Sequence, residues 1–124
     1  MNQAATVWPA ALALLASSWA FSVRAEGQAD RGRALYASRC VACHSVDAHR
    51  VGPLHQGVLG RKAGGAPGYA YSDALRTSRL VWNQRNLQAW LAGPEAVIPG
   101  QSMNYSLGDA QERADIVAYL ATLK

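Results

Sequence analysis

From Asn2 to Val23 the chain carries no charged side chain, and Ala10-Ala11-Leu12-Ala13-Leu14-Leu15-Ala16 is continuously apolar. Beyond it the apolar positions thin out and fall into helix-spaced stripes. Gly32, Leu35, Tyr36 and Arg39 stand at i, i+3, i+4 and i+7, which predicts a helix over 29–39 with Asp30 in its first turn. Leu87, Trp90 and Leu91 predict a second helix over 84–92, with Asn83 as its N-cap and Gly93-Pro94 as its stop. Ile116, Tyr119, Leu120 and Leu123 predict a third, opened by Asp109 and Glu112 in the pattern of a capping box. A shorter turn of helix is expected from Ser72. Between the first two helices, residues 51–68 hold six glycines and two prolines and no long alternating run, so they read as loops. Residues 96–108 form a second loop. The pattern is all-α, with long loops that must enclose something.

The uncharged opening stretch has the composition of a secretory leader. Val23-Arg24-Ala25 offers small or apolar residues at the −3 and −1 positions of a cleavage point, so residues 1–25 are expected to be a signal peptide and 26–124 the exported domain. The competing reading is an uncleaved anchor. The run is interrupted by Pro9, Ser17, Ser18 and Ser22, and its apolar part is at the short edge of the roughly 17–25 residues that span a bilayer. Cleavage and export to the periplasm are therefore the expectation.

Composition changes the picture once the leader is set aside. The full chain has 124 residues, 12 basic against 8 acidic side chains, and a net charge of +4. No block of like charges suggests a nucleic-acid tail, and two cysteines cannot make a disulfide scaffold. Without the leader 99 residues remain, with net charge +3, no Phe, and 45 apolar residues of which sixteen are Ala. So thin a core predicts a non-polypeptide element built into the fold.

Both cysteines lie in Cys40-Val41-Ala42-Cys43-His44, and C-x-x-C-H is the attachment signature of c-type haem. Each thiol adds to one haem vinyl, and the adjacent His44 becomes the proximal iron ligand. Three rivals are weaker. A thioredoxin-like dithiol needs a βαβ setting. A zinc site needs four ligands, and His49 and His55 lack the usual spacing. A disulfide across so short a loop stabilises little.

The second axial ligand is read as Met103, the only methionine outside the leader, which follows Pro99-Gly100 in a polar loop rather than on a helix stripe. His49, five residues beyond His44, would struggle to reach the opposite haem face. His55 is expected on the His44 side, as a surface or packing histidine. Methionine ligation disfavours Fe(III) relative to a second histidine and raises the reduction potential.

With these residues in place, the chain resembles the class I cytochromes c, the short soluble bacterial relatives of mitochondrial cytochrome c. Gly32 and Tyr36, Cys40-x-x-Cys43-His44, Val51-Gly52-Pro53, Gly57-Val58-Leu59-Gly60-Arg61, Tyr71-Ser72, Trp82, Pro99-Gly100 before Met103, and Ala118-Tyr119-Leu120 occur in collinear order. The resemblance implies the small cytochrome c fold, with N- and C-terminal helices crossing at Gly32 and Tyr119 and loops wrapping one covalent haem. It implies that the Pro53 carbonyl accepts from the His44 ring, and that Arg61, Tyr71 and Trp82 hydrogen-bond a buried haem propionate. Several positions depart from the family. Trp90 stands where a Tyr commonly bonds the ligand sulfur; its N–H could donate from a different place, but plain wall packing is the favoured reading. Leu75 replaces an Asn of the propionate and water network. His55 replaces a Leu near the proximal haem face, and Tyr105 replaces a Phe beside the Met as an aromatic lid.

If both axial positions are filled by protein, the chemistry is one-electron transfer through the haem edge and no residue is catalytic. The expected function is a diffusible, monomeric periplasmic carrier between a membrane quinol-oxidising cytochrome complex and a terminal oxidase, reductase or photosynthetic centre. The alternatives are a dedicated cytochrome subunit of a periplasmic dehydrogenase, a membrane-anchored carrier if the leader is retained, and a ligand-binding haem protein with a labile Met103. Only Lys62 and Lys124 are lysines, and two propionates would bring +3 to about +1, so charge steering should be weak. A docking patch around Tyr105, Val97 and the exposed cysteine edge, held by apolar contact, is expected.

Overall fold

A computed structural model describes residues 26–124; the expected signal peptide and its cleavage point lie outside the described residues. Among the described residues five helices follow in order: α1 (Ala29–Arg39), α2 (Asp73–Thr77), α3 (Gln84–Ala92), α4 (Pro94–Val97) and α5 (Ala110–Leu120). The described residues contain no named strand, only one antiparallel bridge between Lys62 and Val81.

The helix boundaries follow from local chemistry. Asn83 and Asn86 cap α3 reciprocally: each side-chain oxygen accepts from the other's backbone N–H, at 2.8 and 2.9 Å. Ser72 caps α2 by accepting from the Leu75 N–H. At α5 the expected box is half formed. Asp109 accepts from the Glu112 N–H at 2.8 Å, but the Glu112 carboxylate is drawn away to Arg39 at 3.2 Å. The α5 helix also stops at Leu120, short of the expected Leu123. The last residues continue as a turn, and the Leu123 carbonyl accepts from the Gly57 N–H at 2.7 Å. Gly93 ends α3 as expected, yet Pro94 opens a further turn, α4, because its missing N–H costs nothing at a first helical position.

The fold is organised around the crossing of α1 and α5. A Cβ on Gly32 would lie 1.8 Å from the Asp115 carbonyl oxygen and 3.0 Å from the Tyr119 Cβ, so only glycine lets the two backbones meet. Ile116, Val117 and Leu120 of α5 are buried there, each contributing roughly 1.5–3 kcal/mol. Asp115, beside them and 1% exposed, is a buried charge with a full set of partners. It accepts from the Gln28 N–H at 2.8 Å, the Arg31 Nε at 2.6 Å and the Gln111 amide at 2.9 Å. Because Gln28 offers no side-chain cap, this carboxylate serves as the N-terminal cap of α1 from across the interface. On the predicted α1 stripe Gly32 and Tyr36 are buried and Leu35 is half-buried. Arg39 instead faces solvent and pairs with Glu112.

Candidate haem-binding cleft

The backbone beyond α1 tightens into a turn. The Cys43 and His44 N–H groups both donate to the Cys40 carbonyl, at 3.1 and 2.8 Å. This brings Cys40, Cys43 and His44 to one end of α1. Both thiols are free, Cys40 half-buried and Cys43 exposed. Burial pushes the Cys40 thiol up to about 11, the opposite of the lowered value a dithiol exchange site needs. Among the described residues no three His, Cys, Asp or Glu side chains gather as a metal-binding group, so a zinc set is not assembled.

The His44 ring is restrained on three sides. Its Nδ1 donates to the Pro53 carbonyl at 2.8 Å, as the resemblance implied, which leaves Nε2 as the free ligating nitrogen. Gly52 lies against one side so closely that a Cβ there would sit 2.1 Å from His44 Cε1. Burial lowers the His44 pKa against the opposing effect of the Pro53 bond, favouring the neutral imidazole that binds metals. The third restraint is His55. It lies on the His44 side, as expected, but it is not a surface histidine. Its ring stacks on the His44 ring with centroids 4.2 Å apart and planes 21° apart. Its Nδ1 is 2.9 Å from the Tyr36 hydroxyl. Burial, then the neighbouring His44 and Arg61, push its pKa down to about 3, so His55 is neutral.

These groups line one cavity of about 460 Å³. Its walls are mostly apolar, with Val58, Leu75, Leu87 and Ile116 among them, and Met103 enters from the loop after α4. That loop turns at Gly100, whose φ of 86° favours glycine. The sequence reading missed the residue that holds it. Gln101 is buried; its side-chain oxygen accepts from the Met103 and Asn104 N–H groups at 2.6 and 3.1 Å, and its amide donates to Glu95 at 3.2 Å. The favoured reading of Trp90 is corrected: beyond packing in the wall, its indole Nε1 donates to the Met103 sulfur at 3.0 Å. The α3 stripe put Trp90 on the core face, where its N–H meets the Met103 sulfur.

Arg61, Tyr71 and Trp82 all line the cavity. Arg61 spends its two terminal nitrogens on the Leu54 and Gln56 carbonyls, at 2.8 and 3.1 Å. Its Nε is buried without a partner, and burial lowers its pKa. A buried, unused N–H on a half-buried cation calls for an anionic acceptor. The Tyr71 hydroxyl accepts from the Ala66 N–H at 3.1 Å and keeps its own proton to donate. Trp82 stands edge-on to Trp90, with ring centroids 5.2 Å apart. Tyr105 is at the mouth, 37% exposed. His49 does not line the cavity. It donates to the Pro67 carbonyl and accepts from the Leu54 N–H, at 2.8 and 3.1 Å, so both ring nitrogens are occupied.

The donor set fits a haem. An apolar enclosure suits the macrocycle, the two free thiols suit its vinyls, and the orphaned Arg61 N–H suits a propionate. Comparison with known proteins agrees. Residues 29–124 match the cytochrome c family. Cytochrome c2 of Rhodomicrobium vannielii is 40% identical over 108 residues, covering 84% of this chain and 86% of its own. Cytochrome c of Euglena viridis is 40% identical over 101 residues, covering 79% and 99%. The structure of cytochrome cH from Methylobacterium extorquens superposes with a TM-score of 0.73 at 46% identity, covering 77% of this chain and 99% of that one. The C-x-x-C-H turn at the end of α1, the crossing of α1 with α5, and the thioether-bearing loop after α4 thus place this chain in the cytochrome c family, whose members carry electrons on a covalently attached haem c.

Proposed function

We propose that this chain is an exported, diffusible electron carrier in which His44 and Met103 are the axial ligands of one haem, attached through Cys40 and Cys43. The carrying observation is that His44 and Met103 line the same apolar cleft with both side chains restrained in advance, His44 by Pro53 and Met103 by Trp90. The haem, when bound, supplies reversible one-electron chemistry at its iron. The protein supplies the rest. The Pro53 carbonyl orients His44 and raises its basicity. The Trp90 N–H fixes the Met103 sulfur and draws on one of its lone pairs. The Arg61 Nε offers a buried partner for a carboxylate.

The expected location is the periplasm, from the leader composition. Among the described residues no helix is long and apolar enough to cross a membrane. The partners are a membrane quinol-oxidising cytochrome complex on one side and a terminal oxidase, reductase or photosynthetic centre on the other. Docking is expected to be mainly apolar: Val41, Val51 and Tyr105 are exposed near the cleft, whereas Val97 of the expected patch is half-buried against the core and Arg39 is an exposed cation on the lining. A redox titration of the purified holoprotein, with a near-infrared spectrum of its ferric form, tests the reading. A positive potential and the weak thioether-to-iron absorption are expected. A negative potential without that absorption overturns His44/Met103 ligation.

A further inference from the structure

The proximal side of the cleft holds a polar pair that neither haem attachment nor axial ligation requires. Tyr36 and His55 both line the cavity wall on the side of His44. Tyr36 is 4% exposed, and its ring packs on Tyr119 of α5 with centroids 5.3 Å apart. Its hydroxyl meets His55 Nδ1 at 2.9 Å, and the His55 backbone N–H donates to the Ser45 carbonyl at 3.1 Å. The imidazole of His55 is therefore held both by its main chain and by its ring. That ring in turn lies nearly parallel to His44 at 4.2 Å.

The Pro53 bond and Gly52 do not by themselves fix the His44 plane. A single hydrogen bond at Nδ1 leaves the ring free to swing about the line through that bond, and Gly52 blocks one direction only. His55 adds a further restraint, its ring lying nearly flat on the His44 ring. An aliphatic side chain there would restrain it loosely, because a branched chain offers no flat face to match. A second imidazole offers one, and the Tyr36 hydroxyl stops that face from turning.

We propose that His55 is a positioning residue for the proximal ligand, and that Tyr36 acts through it. The stacked pair sets the plane of the His44 imidazole and places a polarisable ring face against it. This rests on the reading of His44 as an iron ligand. A cation is attracted to a π face, so the stack favours the more positive, ferric state of the ligated ring. The pair also links ligand geometry to the α1/α5 contact, through Tyr119, Tyr36, His55 and His44 in turn.

The test uses the haem-loaded full chain and three variants: His55→Leu, Tyr36→Phe and the double variant. The readouts are the spread of the four paramagnetically shifted haem methyl resonances in the ferric protein, which follows the orientations of both axial ligands and so reports the imidazole plane while Met103 is undisturbed, and the reduction potential. His55→Leu is expected to change the order or spread of the methyl resonances and to raise the potential. Tyr36→Phe should shift both in the same direction by less. The double variant should match His55→Leu, because Tyr36 has nothing left to act through. A wild-type methyl pattern in His55→Leu overturns the proposal, and so do additive shifts in the double variant. Should His55→Leu fail to accumulate, Tyr36→Phe decides alone: an unchanged pattern there overturns the proposal too. A wild-type ferric spectrum that is not six-coordinate and low-spin removes the axial-ligand reading instead, before any variant is compared.

Discussion

Replacing Trp90 by Phe isolates the hydrogen bond to the Met103 sulfur. The indole Nε1 lies 3.0 Å from that sulfur, a close approach for so large an acceptor. A donor on one lone pair makes the thioether a poorer donor through the other, and the loss matters more to Fe(III) than to Fe(II). The bond therefore favours the reduced state. A buried hydrogen bond has a net worth of about 0.5–1.5 kcal/mol. For a one-electron couple about 59 mV corresponds to a tenfold change in equilibrium, or about 1.4 kcal/mol, so the full bond sets a ceiling of roughly 20–60 mV. The smaller Phe ring also leaves space beside Trp82, and any water entering there would stabilise Fe(III) and add in the same direction. Trp90→Phe should thus lower the potential, by about 20–60 mV if the whole bond is felt in only one oxidation state. The assay is a spectroelectrochemical titration followed through the haem α-band, with the ferric near-infrared band recorded to show that Met103 stays bound. A potential equal to or above that of the wild type, with that band intact, would refute the reasoning.

Three further outcomes are expected. Gly32→Ala places a Cβ 1.8 Å from the Asp115 carbonyl oxygen, a rigid backbone atom, so α1 and α5 must separate; thermal melting of the holoprotein should show a loss of several degrees at least, and an unchanged midpoint would mean the crossing is slacker than described. The hydrogen bond from Arg31, with those from Gln28 and Gln111, holds the Asp115 carboxyl below its ordinary value. A depressed folded-state pKa gives stability that is present above the unfolded value near 3.8 and lost as pH falls through the folded one. Asp115→Ala should therefore flatten the acid limb of a stability–pH profile, and should cost about 1–3 kcal/mol at neutral pH; an acid limb as steep as the wild type's would contradict this. Gln101→Leu removes the acceptor for the Met103 and Asn104 N–H groups and the donor to Glu95. It should free the Met103 loop and speed carbon monoxide binding to the reduced protein several-fold, measured by stopped flow, whereas an unchanged rate would show that Trp90 alone secures the ligand.

The helices were legible because their signals are local. Asn83, Ser72 and Asp109 each bond a backbone N–H three residues on, and α3 and α5 carry their stripes in plain view. The haem turn was legible for the same reason. Contacts between distant segments were not. His55 follows Gly-Pro-Leu with nothing nearby to announce a stack, and its Tyr36 partner lies in the preceding helix, 19 residues away. Asp115 sits among core residues, where a carboxylate argues against burial until Gln28, Arg31 and Gln111 are seen around it. Trp90 was placed correctly as a wall residue, but the aim of its N–H depends on where an irregular loop delivers Met103.

The Asp115 contacts also bear on the order of events when the chain is made. Arg31 and Asp115 are 84 residues apart in sequence, and the helix that carries Asp115 is the last of the described helices to emerge. A contact of such separation closes a large loop and cannot form before α5 has been made. The Cys40–His44 turn is synthesised long before its clasp exists. During that interval the two thiols stand on a chain whose α1 and α5 helices have not met. Attachment of haem before α1 meets α5 is the sequence this topology favours.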